Sequence, residues 1–226
     1  YVITATRTPV APGSLGSNVD VITPDELSRR QVGTLGGALG LVPGAPVFAS
    51  GAPGASSAIF LRGANSNQTL FLVDGIRLND ANTDYQLFLG GACVGICDSL
   101  EVSHGPQSTL YGGEAVGGVV ALWSQPGSGE RTSRLALEAG SFGTVQAALS
   151  TQGERGAWAY AITAQGGHTD NERVNNAFES GNLTVRLDRT LSARLAVGVT
   201  VRGFHGTYGS PGSRFTNDPD NRERED

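Results

Sequence analysis

The last hundred residues alternate apolar and polar positions with a period of two. Side chains of a β-strand point to opposite faces of its sheet in turn, so this period predicts strands with one apolar face. Five such segments are present, and their apolar positions are Leu135 and Leu137; Val145, Ala147 and Leu149; Trp158, Tyr160, Ile162 and Ala164; Leu183, Val185 and Leu187; and Leu195, Val197, Val199 and Val201.

The connections between these segments alternate in length. Residues 152–156 and 189–192 are short connections, whereas residues 166–182 and the chain after Phe204 are predicted to be long polar loops. Short turns at one end and long loops at the other are typical of a transmembrane β-barrel. A soluble sandwich with one solvated face shows the same alternation, so the pattern leaves both open.

The first half of the chain has a mixed pattern. An extended segment is predicted over residues 1–5, and a helix begins at Thr23-Pro24, where Thr23 is the cap and Glu26 can close a capping box. A second helix is predicted over residues 34–41. Strands are predicted at residues 19–22, 58–62, 69–73, 76–78, 100–103 and 116–123. This mixed α/β domain is predicted to end near residues 125–127, at Gln-Pro-Gly.

Composition narrows the class of protein. The formal charge is −5 and the sequence pI is about 5.2, so no nucleic-acid partner is expected. The chain opens on "YVITATRTP", without a signal peptide, as a trimmed exported protein or a cytosolic one would. The three histidines are scattered and no nucleophile or zinc signature is present, so we expect no enzyme, no metal and no cofactor.

Three stretches carry a family resemblance: "VITATRTP", "IFLRGANSNQTLFLVDGIRLND" and "LEVSHGPQSTLYGGEAVGGVV". In this order and spacing they resemble the amino-terminal part of a TonB-dependent outer-membrane receptor. The run "NLTVRLDRTLSARLAVGVTVRGFHGTYGSPGSR" is most similar to the vitamin B12 transporter group. Two features depart from the family pattern: His104 stands where arginine is usual, and "GGACVGICD" carries cysteines.

The resemblance implies a fold and a division into domains. We expect a TonB-box-like segment at residues 1–8, a mixed α/β plug domain at 9–127 and antiparallel transmembrane β-barrel strands at 128–226. The family barrel has about twenty-two strands, of which about five fit here, so the barrel is expected to be partial. An open sheet of five strands would leave unpaired edges in lipid, which indicates a fragment of a larger barrel.

The resemblance also implies a function. It is TonB-dependent active transport, across the outer membrane, of a scarce nutrient such as a cobalamin-like or iron–siderophore complex. The implied partners are TonB on the periplasmic side, outer-membrane lipid and the small nutrient complex. A passive outer-membrane channel or adhesin, and a soluble β-sandwich binding module, are the alternatives.

Three sets of site residues follow from the resemblance. The segment expected to contact TonB by strand addition, rather than to be a frayed terminus, is Val2, Ile3, Thr4 and Ala5. The plug loops expected to meet substrate contribute Ser50, Gly51, Ala52, Ser56, Ser57, Asn79, Asn82, Thr83, Asp84 and Tyr85. The residues expected to have structural roles are Arg62, Gly63, Asp74, Gly75, Gly105, Pro106, Gly117 and Gly118.

Cys93 and Cys97 are four residues apart. In an extended chain their Cα atoms would be ~13 Å apart, which is too far for a disulfide. Gly95 between them allows a turn. We therefore expect a small-loop disulfide in an oxidising periplasm.

Overall fold

The computed structural model describes residues 2–6, 8, 10–11, 16–49, 54–79, 98–209 and 224–225. The chain divides into two compact units. The first comprises Tyr1–Ala49, Ser56–Gly90 and Asp98–Trp123, and the second comprises Ser50–Ala55, Gly91–Cys97 and Ser124–Asp226. None of the helices in the described ranges is long and apolar enough to cross a membrane.

The first unit is a mixed α/β structure. Its strands are β1 (Asn18–Ile22), β2 (Val47–Ala49), β3 (Ser57–Ile59), β4 (Thr69–Val73), β5 (Ile76–Arg77), β6 (Asp98–His104) and β7 (Gly118–Ser124), and its helices are α1 (Pro24–Arg29), α2 (Leu35–Leu39) and α3 (Ser108–Tyr111). Five strands form one sheet in the order β1-β6-β7-β4-β5, and β2 pairs with β3 separately. Strands β4 and β7 are parallel, and Leu70, Leu72, Val119 and Ala121 on them form a buried cluster with Tyr111 and Ala115.

The two predicted helices begin where their caps predict. Thr23 Oγ1 accepts from the Glu26 amide at 3.3 Å, and Thr34 Oγ1 accepts from the Gly37 amide at 3.2 Å. Helix α2 spans only Leu35–Leu39, so the prediction of residues 34–41 was too long. Its sequence, LGGAL followed by a glycine cap, has low helix propensity, which limits its extension.

The Asp-Gly turn between β4 and β5 is confirmed. Val73 pairs with Ile76, so two residues connect the strands, and both have positive φ: 49° at Asp74 and 83° at Gly75. These angles define the mirror-image turn whose twist matches that of the strands it joins. Asp74 and Gly75 therefore form the two-residue turn between β4 and β5.

The strand predicted at residues 58–62 is shorter in the structure. Strand β3 ends at Ile59, and Arg62 and Gly63 have φ values of 50° and 80°. Two consecutive left-handed residues cannot continue a strand. The Arg62 amide instead donates to the Gly44 carbonyl at 3.0 Å. This hydrogen bond ties the turn at residues 62–63 to the segment that follows α2.

The second unit is an antiparallel meander. Its strands are β8 (Thr132–Ala139), β9 (Val145–Arg155), β10 (Trp158–Thr169), β11 (Phe178–Ser192), β12 (Leu195–Gly209) and β13 (Arg224–Glu225). Each pairs with the next along the chain, in one sheet of order β13-β12-β11-β10-β9-β8. The five predicted segments therefore lie in a single sheet, and the soluble sandwich alternative is wrong for the described strands.

One face of this sheet is apolar and exposed. Leu135, Leu149, Ala164 and Leu183 are successive cross-strand partners, and such partners lie on the same face. The five residues predicted to share an outer face all follow the same alternation and are all exposed, namely Leu135, Val145, Trp158, Leu183 and Val197. The sheet thus presents a continuous apolar surface on one side.

The opposite face is polar. Arg186 donates to Asp188 from Nε at 2.8 Å and from Nη2 at 3.0 Å. Its Nη1 donates to the carbonyl of Ser124, which ends β7 but belongs to the second unit. Arg202 Nη2 donates to Ser124 Oγ at 2.7 Å. A Cβ at Gly198 would lie 2.3 Å from Asp188 Oδ1, so glycine is the residue that leaves room for this pair.

Two predicted loops are largely strand. Strand β10 continues to Thr169 and β11 begins at Phe178, so the connection is residues 170–177 rather than 166–182. Strand β12 likewise continues past Phe204 to Gly209. Gly166 pairs with Gly181 in the ladder, and glycine carries no side chain to show the alternation. The backbone hydrogen bonds therefore extend the strands beyond the visible pattern.

Candidate functional site: the amino-terminal segment on the first unit

Strand β6 carries a carboxylate in a buried position. All seven residues of Asp98–His104 are buried, and Glu101 in their centre is 3% exposed. A carboxylate removed from water is costly unless hydrogen-bond donors surround it. The groups that donate to Glu101 come from the amino-terminal segment, 97 and 98 residues earlier in the sequence.

The backbone of the amino-terminal segment supplies these donors. The Ile3 amide donates to both carboxylate oxygens of Glu101, with distances of 3.0 Å to Oε2 and 3.2 Å to Oε1. The Thr4 amide and hydroxyl both donate to Oε2, at 2.8 and 2.5 Å. A single carboxylate thus holds two consecutive residues of the segment, and hydrogen bonds to a charged acceptor are stronger than neutral ones.

Two further contacts fix the segment. The Tyr111 hydroxyl donates to the Thr4 carbonyl at 2.9 Å. Val2 and Val10 exchange backbone hydrogen bonds of 2.9 and 3.0 Å, and Val2 and Thr4 are both fully buried. The segment is therefore docked on the first unit through its main chain.

The predicted extended conformation of residues 1–5 is wrong in part. Val2 forms an isolated antiparallel bridge, but the chain turns at residues 4–6, where the Thr6 amide donates to the Ile3 carbonyl at 3.3 Å. The convergence of the Ile3 and Thr4 amides on one side chain requires this bend, because successive amides of a strand point in opposite directions. The sequence of the segment alone does not reveal Glu101 as its partner.

His104 is a second buried ionisable residue at the end of β6. Its Nε2 lies 2.7 Å from Asp20 Oδ2 on the neighbouring strand β1, and its side chain is 2% exposed. Gln107 Nε2 donates to Ser17 Oγ at 3.2 Å beyond this pair. The residue that departs from the family's arginine therefore still has an acidic partner, and it links β1 to β6.

Of the predicted substrate residues, Ser56, Ser57 and Asn79 lie among those described. Ser57 is in β3 and buried. The Asn79 side chain accepts from the Phe71 amide at 2.7 Å and donates to the Thr69 carbonyl at 2.9 Å, so both its polar groups extend the ladder of β4. The remaining residues of this set, Ser50, Gly51, Ala52, Asn82, Thr83, Asp84 and Tyr85, lie outside the described ranges.

Two of the predicted structural glycines, Gly117 and Gly118, lie where backbones approach closely. The Gly105 amide donates to the Gly117 carbonyl at 3.0 Å, and the Gly117 amide donates to the Gln68 carbonyl at 2.8 Å. A Cβ at Gly117 would lie 2.6 Å from that of Ala64, and one at Gly118 would lie 2.3 Å from the Ser103 carbonyl oxygen. Pro106 follows Gly105, which has a φ of 89° and turns the chain out of β6.

Two residues of this site were not predicted. Glu101 could have been suspected because it lies between Leu100 and Val102 in a predicted strand, and buried charges require partners. Tyr111 carries no such signal. The cysteine pair, Cys93 and Cys97, lies outside the described residues. Within the described ranges no group of three His, Cys, Asp or Glu side chains could hold a metal ion.

A mixed α/β unit followed by an antiparallel meander with one apolar and one polar face is the architecture of a plugged outer-membrane receptor. Residues 12–119 match the family described as TonB-dependent Receptor Plug Domain. The chain belongs to the TonB-dependent receptors, which are proteins of the outer membrane.

The relatives agree with this family. The chain is 31% identical to a vitamin B12 transporter BtuB of Vibrio vulnificus over 225 residues, which is 95% of this chain and 37% of that protein. The chain therefore spans about a third of the length of that relative. A second BtuB of the same species is 35% identical over 130 residues, covering 55% of this chain and 20% of that protein.

Solved structures share the fold. The pyoverdine outer membrane receptor FpvA of Pseudomonas aeruginosa matches with a TM-score of 0.79 and 19% identity, covering 94% of this chain and 31% of that one. The ferric yersiniabactin uptake receptor FyuA of Yersinia pestis matches with a TM-score of 0.71 and 20% identity, covering 85% and 32%. At these identities the structures support the fold, not the ligand.

Proposed function

We propose that this chain is the amino-terminal part of a receptor that imports a scarce nutrient complex across the outer membrane with energy supplied through TonB. Residues 2–5 are the coupling handle, the first unit is the plug, and the apolar face of the second unit contacts lipid. Cobalamin or a related corrinoid is the first substrate to test. The relatives that exceed 30% identity are named as vitamin B12 transporters, whereas the siderophore receptors are similar in fold at about 20% identity.

The docked amino-terminal segment is the observation that carries this proposal. Strand addition to a partner's sheet uses the backbone amides and carbonyls of an extended segment. Here Glu101 binds the Ile3 and Thr4 amides, Tyr111 binds the Thr4 carbonyl, and Val2 is bridged to Val10. The segment must leave the plug before TonB can pair with it, so docking makes coupling dependent on the state of the plug.

The hydrogen bonds of Asn79 change the set of residues proposed to contact substrate. The Asn79 side chain bonds the Phe71 amide and the Thr69 carbonyl, so it is tied to strand β4. Its role is to support that strand, and contact with substrate falls to Asn82, Thr83, Asp84 and Tyr85. Residues 50–52 and Ser56 are the second group of candidate substrate contacts.

The test is uptake by cells that lack their own corrinoid and siderophore receptors and express the full-length receptor. Labelled cyanocobalamin and ferric siderophores are supplied separately, with and without TonB. We expect TonB-dependent accumulation of the corrinoid. Uptake that is equal without TonB would indicate the passive channel, and binding to host surfaces with no uptake would indicate the adhesin.

A further inference from the structure

The apolar face of the second unit ends in a row that combines an aromatic side chain with two arginines. Trp158 is the first residue of β10, and its cross-strand partners are Arg155 on β9 and Arg189 on β11. Cross-strand partners lie on one face, so the tryptophan stands between the two arginines. The Arg189 guanidinium carbon lies 4.9 Å from the centre of the Trp158 ring.

The next rows toward the long connections are apolar. Tyr160 pairs with Leu187, Ile162 with Val185, and Ala164 with Leu183. The face becomes polar again at His168, which pairs with Glu179. From Trp158 to His168 is about 33 Å along the strand, or about 25 Å of height at the tilt of barrel strands, which is the height of an apolar band in the outer membrane.

Acidic side chains of these strands are absent from the arginine row within the described residues. Glu154 and Asp188 are the nearest in sequence, but both pair with Ala159, whose side chain points to the opposite face. Asp188 is moreover bound to Arg186 on that face. The row therefore presents two positive charges and an indole directly below an apolar surface.

The row lies at the short-turn end of the sheet. Two residues connect β9 to β10 and two connect β11 to β12, and such turns face the periplasm in barrels of this class. The leaflet on that side is built of phospholipid. Arginine binds phosphate with several donors, and tryptophan favours the boundary between acyl chains and headgroups.

We infer that Arg155, Trp158 and Arg189 form a binding site for the phosphate headgroup of an anionic phospholipid in the periplasm-facing leaflet. The acyl chains of the bound lipid lie along the apolar rows above, and the headgroup contacts the two guanidinium groups. Arg189 is held toward the site by its stacking on Trp158. This inference rests on the outer-membrane location of the family and is independent of which nutrient is transported.

The test uses the full-length receptor, purified in mild detergent and offered equal amounts of phosphatidylglycerol and phosphatidylcholine. Bound lipid is measured by native mass spectrometry. The wild type is expected to prefer phosphatidylglycerol on the order of tenfold, since each arginine near an anionic surface contributes favourably. The double variant Arg155→Gln, Arg189→Gln is expected to lose this preference, and Arg155→Lys, Arg189→Lys to keep most of it.

Arg134→Gln is the matched control for the single variants, because it removes one positive charge from the opposite face, where Arg134 pairs with Ser150. It should leave the preference unchanged. The single variants Arg155→Gln and Arg189→Gln each report a partial loss if the double variant fails to fold. An unchanged preference in the folded glutamine variants would overturn the inference, as would equal retention of both lipids by the wild type. Displacement of the lipid by inorganic phosphate alone would show an ion site instead.

Discussion

Glu101 on strand β6 accepts hydrogen bonds from both the amide and the hydroxyl of Thr4, at 2.8 and 2.5 Å, although the two residues are 97 positions apart in sequence. Both side chains are buried. The plug therefore holds the amino-terminal segment by a carboxylate, and a single substitution can loosen it. Substitutions can therefore change how tightly the amino-terminal segment is docked without changing its ability to pair with TonB as a strand.

Glu101→Gln is expected to release the segment. Glutamine keeps one neutral acceptor oxygen but places an NH2 group where the second carboxylate oxygen accepts, so the charged hydrogen bonds are lost. The expected cost to docking is about 1.5–3 kcal/mol, roughly a ten- to hundredfold rise in the released fraction. The periplasmic domain of TonB should then bind the substrate-free full-length receptor more tightly, which a titration measures directly.

Glu114→Gln is the control for this change. Glu114 forms an ion pair with Arg77 at 3.1 Å in which both side chains are partly exposed, so its loss removes the same charge with little effect on docking. TonB affinity that is the same in the Glu101→Gln and Glu114→Gln receptors would contradict the docking role of Glu101.

Tyr111→Phe should have a smaller effect in the same direction. It removes one neutral hydrogen bond, from the hydroxyl to the Thr4 carbonyl, and leaves the ring in the buried cluster with Leu70 and Val119. Such a bond contributes about 0.5–1.5 kcal/mol. In limited proteolysis, the cleavage rate of the amino-terminal segment should increase from wild type to Tyr111→Phe to Glu101→Gln. A reversed order would contradict the roles of Tyr111 and Glu101 in docking this segment.

The sequence predicted the elements whose signals are local. The cap at Thr23, the turn at Asp74-Gly75 and the five alternating strands each depend on a few neighbouring residues. The ends of β10 and β11 were missed because Gly166 and Gly181 pair without side chains. The bend at residues 4–6 was missed because its cause is Glu101, far away in sequence. Long-range hydrogen bonds leave no periodic pattern.

Replacing Gly118 by alanine should destabilise the receptor, because the new Cβ would lie 2.3 Å from the Ser103 carbonyl oxygen and 2.7 Å from Leu61 Cδ1. Gly118 also has a φ of 150°, which side chains rarely adopt. We expect a loss of about 1–3 kcal/mol, measured as a lower melting temperature of the full-length receptor. Gly113→Ala, where nothing lies within 4 Å of the added atom, is the control and should melt like the wild type.

Asn79→Ala distinguishes an anchor from a substrate contact. It removes the bonds to the Phe71 amide and the Thr69 carbonyl, and we expect about 1–3 kcal/mol of destabilisation from the unsatisfied groups. Asn79→Asp keeps the acceptor and loses the donor, so its stability should lie between that of the wild type and that of Asn79→Ala. Unchanged melting together with reduced substrate affinity in the Asn79→Ala receptor would assign Asn79 to the substrate site instead.

Ile3→Pro separates docking from coupling. Proline removes the amide that donates to Glu101, so this variant should release the segment as Glu101→Gln does. It also removes a donor that strand addition requires, so TonB should bind it weakly, whereas Glu101→Gln leaves the segment competent to pair. Ile3→Ala keeps the amide and should behave nearly like the wild type.

Uptake and substrate binding are measured side by side in the full-length receptor. We expect transport to fail in Ile3→Pro while binding persists. Normal transport by Ile3→Pro, or loss of binding together with transport, would refute the assignment of residues 2–5 as the coupling handle.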